Sequence, residues 1–337
     1  MNKKKILLDP SFRKIDEIFH PDDLKRLHSC CDVLWGSDQQ IPMDTFESIK
    51  DEIWAIIAPR WRYGDVKDLP NLRAILEVGG RHPSADSLDY EYCFKNSIRV
   101  LSCAPAFGPM VAEMALGMAI DAAREITFGH NQFQKGQEKY LWDGNIETYT
   151  LYGKRVGLIG MGGLANSLLH LLKPFGCKLS AYDPWRTESY IKNYGVEPDS
   201  LENILSESDI IFVLAIPSLE NKAVIDRSKL ELIRNNAIFV LISRAHVVDF
   251  DALTDLLHER RFKAAIDVFP EEPLPLNHRI RQASNVILSA HRAGSVMGDS
   301  NLIGRLVVDD IEAMTAGLPP WRMQQAQPEI VVRLPNR

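Results

Sequence analysis

Residues 154–184 read KRVGLIGMGGLANSLLHLLKPFGCKLSAYDP, and they decide the fold. The run 156–159 is short and apolar, the pattern of a strand buried on both faces. Gly160, Gly162 and Gly163 follow it. Leu164, Leu168, Leu171 and Leu172 then recur at helical spacing, Gly176 ends the helix, and 179–182 reads as a second strand closed by Asp183. Strand, glycine turn, helix, strand and acid is the order of a dinucleotide-binding βαβ unit. Gly160 permits the tight turn out of the strand, and Gly162 leaves room for a pyrophosphate against the backbone. The amides of Gly163 and Leu164 open the helix, where N–H groups and the dipole favour phosphate. Ala165 stands at the third glycine position, where a small residue keeps helix and strand close. Asp183 can accept hydrogen bonds from a ribose diol, and its charge disfavours a 2′-phosphate. The expected cofactor is therefore NAD, a preference that Arg186 nearby weakens.

The 337 residues suffice for two domains, each with its own core. A formal charge of −6 speaks against a nucleic-acid surface, and the only basic cluster is Lys3 to Lys5. The apolar run after those lysines is too short for a signal peptide. No stretch reaches the roughly 20 apolar residues of a membrane span, and Glu113 and Asp121 interrupt the most apolar helix. Cys30, Cys31, Cys93, Cys103 and Cys177 have no metal-ligand or redox spacing, as expected of reduced thiols in a cytoplasmic protein.

Upstream of the glycine turn, residues 4–8, 32–35, 54–58, 74–78 and 98–101 read as strands, with helical runs at 21–28 and 45–52. Strands alternating with short helices imply a parallel sheet. Val78, Gly79, Gly80 and Arg81 follow one of these strands, where ligands bind in open α/β sheets. The paired glycines expose amides that can hold a carboxylate, and Arg81 and His82 add charge. An ordinary surface turn accounts for the same residues. Pro105 to Pro109 is a break, followed by a long helix whose Val111, Met114, Ala115, Met118, Ala119 and Ala122 form a stripe for core or subunit contact. Residues 129–153 read as an arm or long loop, with Trp142 either anchoring a subunit interface or covering local apolar surface. Downstream, strands are expected at 210–215, 237–242, 264–268 and 286–289, helices at 228–234, 249–259 and 301–316, and no strand beyond the last helix.

Three polar residues lie just past strand ends of the second half: Arg244, Glu272 and His291. Reducing a carbonyl needs a hydride donor, a proton donor and a group that fixes the substrate. Histidine suits proton exchange near neutrality. A glutamate beside it orients the ring and favours its charged form. Arginine binds a carboxylate through a bidentate fork. The combination fits a 2-oxo acid and its 2-hydroxy acid. Singly, each residue is equally well explained as a structural histidine, a salt-bridging arginine and a turn glutamate.

From about residue 74 to 320 the chain resembles the D-isomer-specific 2-hydroxyacid dehydrogenases, the family of phosphoglycerate, formate and glyoxylate/hydroxypyruvate dehydrogenases. The resemblance rests on Val111-Ala112-Glu113, on Gly153-Lys154-Arg155-Val156-Gly157, on residues 244–249 and 265–273, and on Asn285-Val286 through His291. It implies a Rossmann-type doubly wound parallel sheet in a cofactor domain, 104–294. A smaller flavodoxin-like α/β substrate domain would be formed by 1–103 and completed by the return helix and tail, 295–337. It implies Arg244, Glu272 and His291 as catalytic residues, Asp267 as the acid that holds the nicotinamide carboxamide, and Gly163 and Leu164 as pyrophosphate contacts. Pro217, Ile242, Ser243 and Gly294 would line the cofactor, and family members are usually homodimers.

The chain departs from the family at Ala245 and His246, Ala290, Arg292-Ala293 and a longer 78–86 loop. These positions surround the substrate, and Arg81 and Arg292 hint at one with additional negative charge. The fold also occurs in NAD(H)-responsive corepressors that bind peptides, so a regulatory protein is the alternative to an enzyme. An S-adenosyl-type ligand on the same turn would leave Arg244 and His291 without a role.

Overall fold

Apolar runs alternating with amphipathic helices produce five parallel strands in the first hundred residues: β1 (Lys4–Leu8), β2 (Cys31–Gly36), β3 (Ala55–Ala58), β4 (Ala74–Glu77) and β5 (Arg99–Ser102). The structure, a computed structural model, describes residues 3–334. Their chain divides into two compact units, one running up to Phe107 and resuming at Val296, the other spanning Gly108–Ser295.

In the first unit the order across the sheet is β2-β1-β3-β4-β5, all parallel. This is the flavodoxin-like order. Alternate side chains feed two cores. Ile6, Leu8, Ile57, Leu76 and Leu101 face one, under the helices Pro21–Cys30 and Asn301–Thr315. Leu7, Ile56, Ile75 and Val100 face the other, under Met43–Ile49 and Tyr90–Lys95. Burial on both faces is why these strands read as continuous apolar runs. Contrary to expectation a strand does follow the last helix: Gln324–Gln325 pairs antiparallel with β5. Two glutamines carry no apolar alternation, so periodicity could not reveal it.

Two buried carboxylates hold turns in this unit. Asp310, on the return helix, accepts from the amides of Trp321, Arg322 and Met323 at 2.8, 2.9 and 2.8 Å. Glu77 ends β4 and is 1% exposed. It accepts from the amides of Gly79, Gly80 and Arg81 at 2.6, 3.0 and 2.7 Å and from the Ser102 hydroxyl at 3.0 Å. Burial raises the Glu77 pKa to about 7, and the four donors pull it back only in part.

The second unit contains β6 (Arg155–Ile159), β7 (Lys178–Tyr182), β8 (Glu197–Pro198), β9 (Ile210–Val213), β10 (Ile238–Leu241), β11 (Lys263–Ile266) and β12 (Val286–Leu288). They form one parallel sheet in the order β12-β11-β10-β9-β6-β7-β8. Counted from β6, which carries the glycine turn, the strands β8-β7-β6-β9-β10-β11 run in the six-strand Rossmann order 3-2-1-4-5-6, and β12 adds a seventh strand beside β11. On one face Ile211, Val213, Phe239, Leu241, Ala264 and Ile266 pack beneath helix Phe250–His258. Asp249 caps that helix by accepting from the Ala252 amide at 3.0 Å. On the other face lies helix Gly108–Arg124, packed on helix Gly163–Leu172 and on β10 and β11. By length and composition the stretch Ala104–Arg124 matches a membrane span, but half of it is buried inside the protein. Val111, Ala115, Met118, Ala119 and Ala122 are core residues.

The arm expected at 129–153 is partly helical. Ile126–Gln134 is an α-helix and Leu141–Gly144 a 3-10 turn. Its apolar residues face outward, so they show no amphipathic match to a core and the helix was missed.

Replacing Asp310 by alanine strands three amides and is expected to cost about 3 kcal/mol, read as a lowered Tm. Glu77 gives a signed pH dependence. Its folded pKa of about 7 lies above the ordinary 4.5, so the folded chain binds more protons than the unfolded chain between those values. Stability contributed by this group therefore falls as pH rises through that window. The wild type should lose up to about 3 kcal/mol relative to Glu77→Gln across it. A wild-type-minus-variant difference that ignores pH would refute the assignment.

Candidate active site

Every candidate residue of the second unit lies at the carboxyl edge of its sheet. Gly160 follows β6, Asp183 follows β7, and Pro217 follows β9. Ile242, Ser243 and Arg244 follow β10, Asp267 follows β11, and His291 follows β12. The chain order reverses between β9 and β6, the point at which open α/β sheets bind ligands.

At the glycine turn, Gly160 has φ +103°, and a Cβ there would meet the Ala215 backbone nitrogen at 2.8 Å. The turn and the neighbouring chain both exclude a side chain. Gly162 and Gly163 face open space instead. Gly162 caps the ten-residue helix Gly163–Leu172 without any side chain bonding to the helix amides. Ala165 is fully buried between helix and strand. Asp183 accepts from the Met161 amide at 2.7 Å through one oxygen and from the Trp185 amide at 2.8 Å through the other. Each oxygen retains a lone pair for a diol. Arg186 stacks over Tyr190 at 4.7 Å. Pro217 sits in a loop braced by Asn221, which accepts from the Ser218 amide and donates to the Ile216 carbonyl, both at 2.8 Å. Ile242 is buried, and the buried Ser243 Oγ has no protein partner. Uncapped helix amides, an open glycine face and an orphaned buried hydroxyl fit a phosphate-bearing, hydrogen-bonding cofactor such as NAD.

Asp267 organises the histidine. Its carbonyl accepts from the His291 amide at 2.8 Å. Its carboxylate accepts from the amides of Arg292 at 3.0 Å and Ala293 at 3.1 Å. Three successive amides are thus clamped by one residue, and His291 is held at φ +52°, a strained setting for a side chain that is not glycine. The resemblance gave the Asp267 carboxylate to the carboxamide. In the structure Asp267 is 0% exposed and each of its carboxylate oxygens takes one of these amides, which leaves a lone pair on each. Gly294 ends the clamped segment, half-buried.

His291 Nδ1 lies 2.6 Å from Glu272 Oε2, and Glu272 Oε1 accepts from the Phe269 amide at 3.0 Å. An ionised carboxylate only accepts, so Nδ1 carries the proton of this bond and Nε2 stays outside it. Both side chains remain a third or more accessible to solvent. Arg244 adopts extended backbone before the 3-10 turn Ala245–Val247, and its Nη1 donates to the Ser243 carbonyl at 2.6 Å. His246, one of the departures from the family, donates through Nε2 to the Ser218 carbonyl at 3.0 Å. It joins the Arg244 turn to the Pro217 loop. The structure therefore pairs Glu272 with His291 directly and sets Arg244 on the adjacent strand end.

In the first unit the 78–81 loop differs from its expected use. Val78 is buried, and the amides of Gly79 and Gly80, read as able to hold a carboxylate, donate inward to Glu77, as does the Arg81 amide. Sequence reading missed Glu77 because it closes a buried apolar strand. An acid directly before two glycines was the available signal.

Residues 116–293 match the family model described as D-isomer specific 2-hydroxyacid dehydrogenase, NAD binding domain. A glyoxylate reductase of Pyrococcus horikoshii is 28% identical over 294 residues, 85% of this chain and 87% of that one. A D-3-phosphoglycerate dehydrogenase of Methanocaldococcus jannaschii is 28% identical over 262 residues, 77% of this chain and 48% of that one. Among solved structures, a phosphoglycerate oxidoreductase from Rhizobium etli is similar at TM-score 0.85 and 33% identity, over 96% of this chain and 99% of that one. With the glycine turn, the paired histidine and glutamate and the switch point at one sheet edge, these matches show that the chain belongs to the D-isomer-specific 2-hydroxyacid dehydrogenase family and is an NAD-linked oxidoreductase of 2-hydroxy and 2-oxo acids.

Proposed function

We propose that the protein interconverts a D-2-hydroxy acid and its 2-oxo acid with a second anionic group, working as a cytoplasmic homodimer with no nucleic-acid or membrane partner. The observation that carries the catalytic assignment is the 2.6 Å pair between His291 and Glu272, set on the Asp267 clamp. Bound NADH supplies the hydride. His291 Nε2 holds the proton destined for the carbonyl oxygen, and Glu272 keeps the ring oriented and supports its positive charge. Arg244 binds the substrate carboxylate and polarises the neighbouring carbonyl. Gly160, Gly162, Gly163, Leu164 and Asp183 take the pyrophosphate and ribose, while Pro217, Ile242, Ser243 and Gly294 line the remainder of the cofactor.

The first unit is the substrate domain in this reading. It contains a cavity of about 210 Å³ lined by Arg60, Trp61, Arg81, Ser84 and Ser87. Two arginines and two serines lining one small space suit a second carboxylate or a phosphate. Arg292, exposed beside His291, adds positive charge to the second unit.

The dimer rests on the arm. Phe128, Phe133, Tyr140, Leu141 and Ile146 are all exposed, and Trp142 is 88% exposed. Apolar side chains gathered in one segment mark an interaction surface rather than scattered surface residues. Exposed to that degree, Trp142 covers little of the described residues, which supports the interface reading. Unbridged cysteines agree with a reducing compartment.

His291→Ala is expected to lower kcat by about 10²–10⁴-fold with little change in the NADH Kd. Near-normal turnover would overturn the assignment. Against a panel of 2-oxo acids, NADH oxidation should favour a substrate with a second negative charge, and Arg81→Ala should raise KM for that substrate more than for glyoxylate. Equal losses on both would remove the charge argument. Light scattering should find a dimer for the wild type and a shift toward monomer for Trp142→Asp.

A further inference from the structure

The 79–81 turn is built around a buried carboxyl group. Glu77 is buried at the end of β4, and its two carboxylate oxygens take three successive amides. The surroundings leave no slack. A Cβ on Gly79 would meet Glu77 Oε1 at 2.5 Å and the Pro59 carbonyl oxygen at 2.7 Å. Gly80 has φ +97°, and a Cβ there would meet the Phe107 ring at 2.8 Å. Both glycines are thus accounted for by internal packing. The chain leaves this turn at Arg81, whose side chain lines the cavity shared with Arg60, and reaches His82, whose ring nitrogen bonds to the Gln324 carbonyl at 2.9 Å.

We propose that Glu77 is a positioning residue for substrate recognition: by drawing the amides of Gly79, Gly80 and Arg81 inward, it gives anion binding in this unit to the Arg60 and Arg81 side chains instead of the turn's backbone. The inference rests on the reading that this unit binds the 2-oxo acid. A small acid with a single carboxylate can be held by turn amides alone. A turn whose amides are already engaged calls for guanidinium groups, which favour a substrate with a second anionic group at a distance from the reacting carbonyl.

Ionisation matters to the device. An ionised Glu77 accepts from all four donors, whereas a protonated one must place its own hydrogen among them. Its charge is buried without a cation bonded to it, consistent with the pKa of about 7. The titratable group that senses it is Cys103, just past β5, whose thiol burial and Glu77 together hold neutral, while Arg13 acts on Cys103 in the opposite sense. From the other elements against the turn come Pro59 and Phe107, which do not titrate, and the Ser102 hydroxyl.

Glu77→Gln tests the proposal in the full chain with NADH present. Glutamine offers one acceptor where two are needed and places an NH₂ against an amide. The expected result is a rise of about tenfold in KM for the preferred 2-oxo acid, a much smaller change in kcat and an unchanged NADH Kd. The wild-type profile of kcat/KM should contain a component near pH 7 that the variant lacks. Oxalate binding, followed as the shift in Tm of the NADH complex, should weaken in parallel, and exchange of the 79–81 amides should accelerate. Unaltered KM and oxalate binding with faster amide exchange would make Glu77 a purely structural residue and overturn the proposal. Tighter binding of oxalate by the variant would also overturn it, because Glu77 would then be a competitor for the amides. If the wild type turns over no 2-oxo acid, the reading of the reaction fails by itself, and the oxalate arm still decides for or against Glu77.

Discussion

One buried carboxylate fixes the geometry on which the chemistry depends. Parallel strands end together at one edge, and the turns that leave them carry amides without ladder partners. Asp267 resolves this at β11 and β12 by taking the His291 amide on its backbone carbonyl and the Arg292 and Ala293 amides on its carboxylate. The backbone of His291 is thereby forced into the left-handed region, and the side chain is aimed where Glu272 can fix the ring. Removing the acid would leave buried amides unsatisfied and relax the strain that points the histidine. A related device occurs at Glu77 and Asp310, where the side-chain carboxylate alone takes three consecutive amides. In this chain, buried acids set the turns and exposed side chains work from them.

What could be read from the sequence follows from this division. Strands buried on both faces announce themselves as apolar runs, so the strands of both sheets were legible apart from two-residue ones. The glycine turn was legible because its function depends on local spacing. Arg244, Glu272 and His291 were legible as polar residues after apolar runs, and the structure brings the last two into contact. The roles of Glu77 and Asp267 were hidden because a buried acid at a strand end is defined by amides that only the folded turn aims at it. The helix Ile126–Gln134 was hidden for the opposite reason: its apolar residues face outward, toward no core of its own chain.

The first unit is discontinuous, and this has a consequence for how the chain is made. Its sheet is encoded before residue 108, but one of its two cores is closed by the helix Asn301–Thr315, and the edge of β5 is covered by Gln324–Gln325. During synthesis at about 5–20 residues per second, roughly ten to forty seconds separate the two halves. Over that interval Leu8, Leu76 and Leu101 lack part of their cover, and an edge strand stands open to foreign pairing. The second unit, encoded without interruption, can finish first. The nascent chain therefore carries a folded insert inside an incomplete host until helix Asn301–Thr315 and strand Gln324–Gln325 emerge and convert a vulnerable sheet into a closed one.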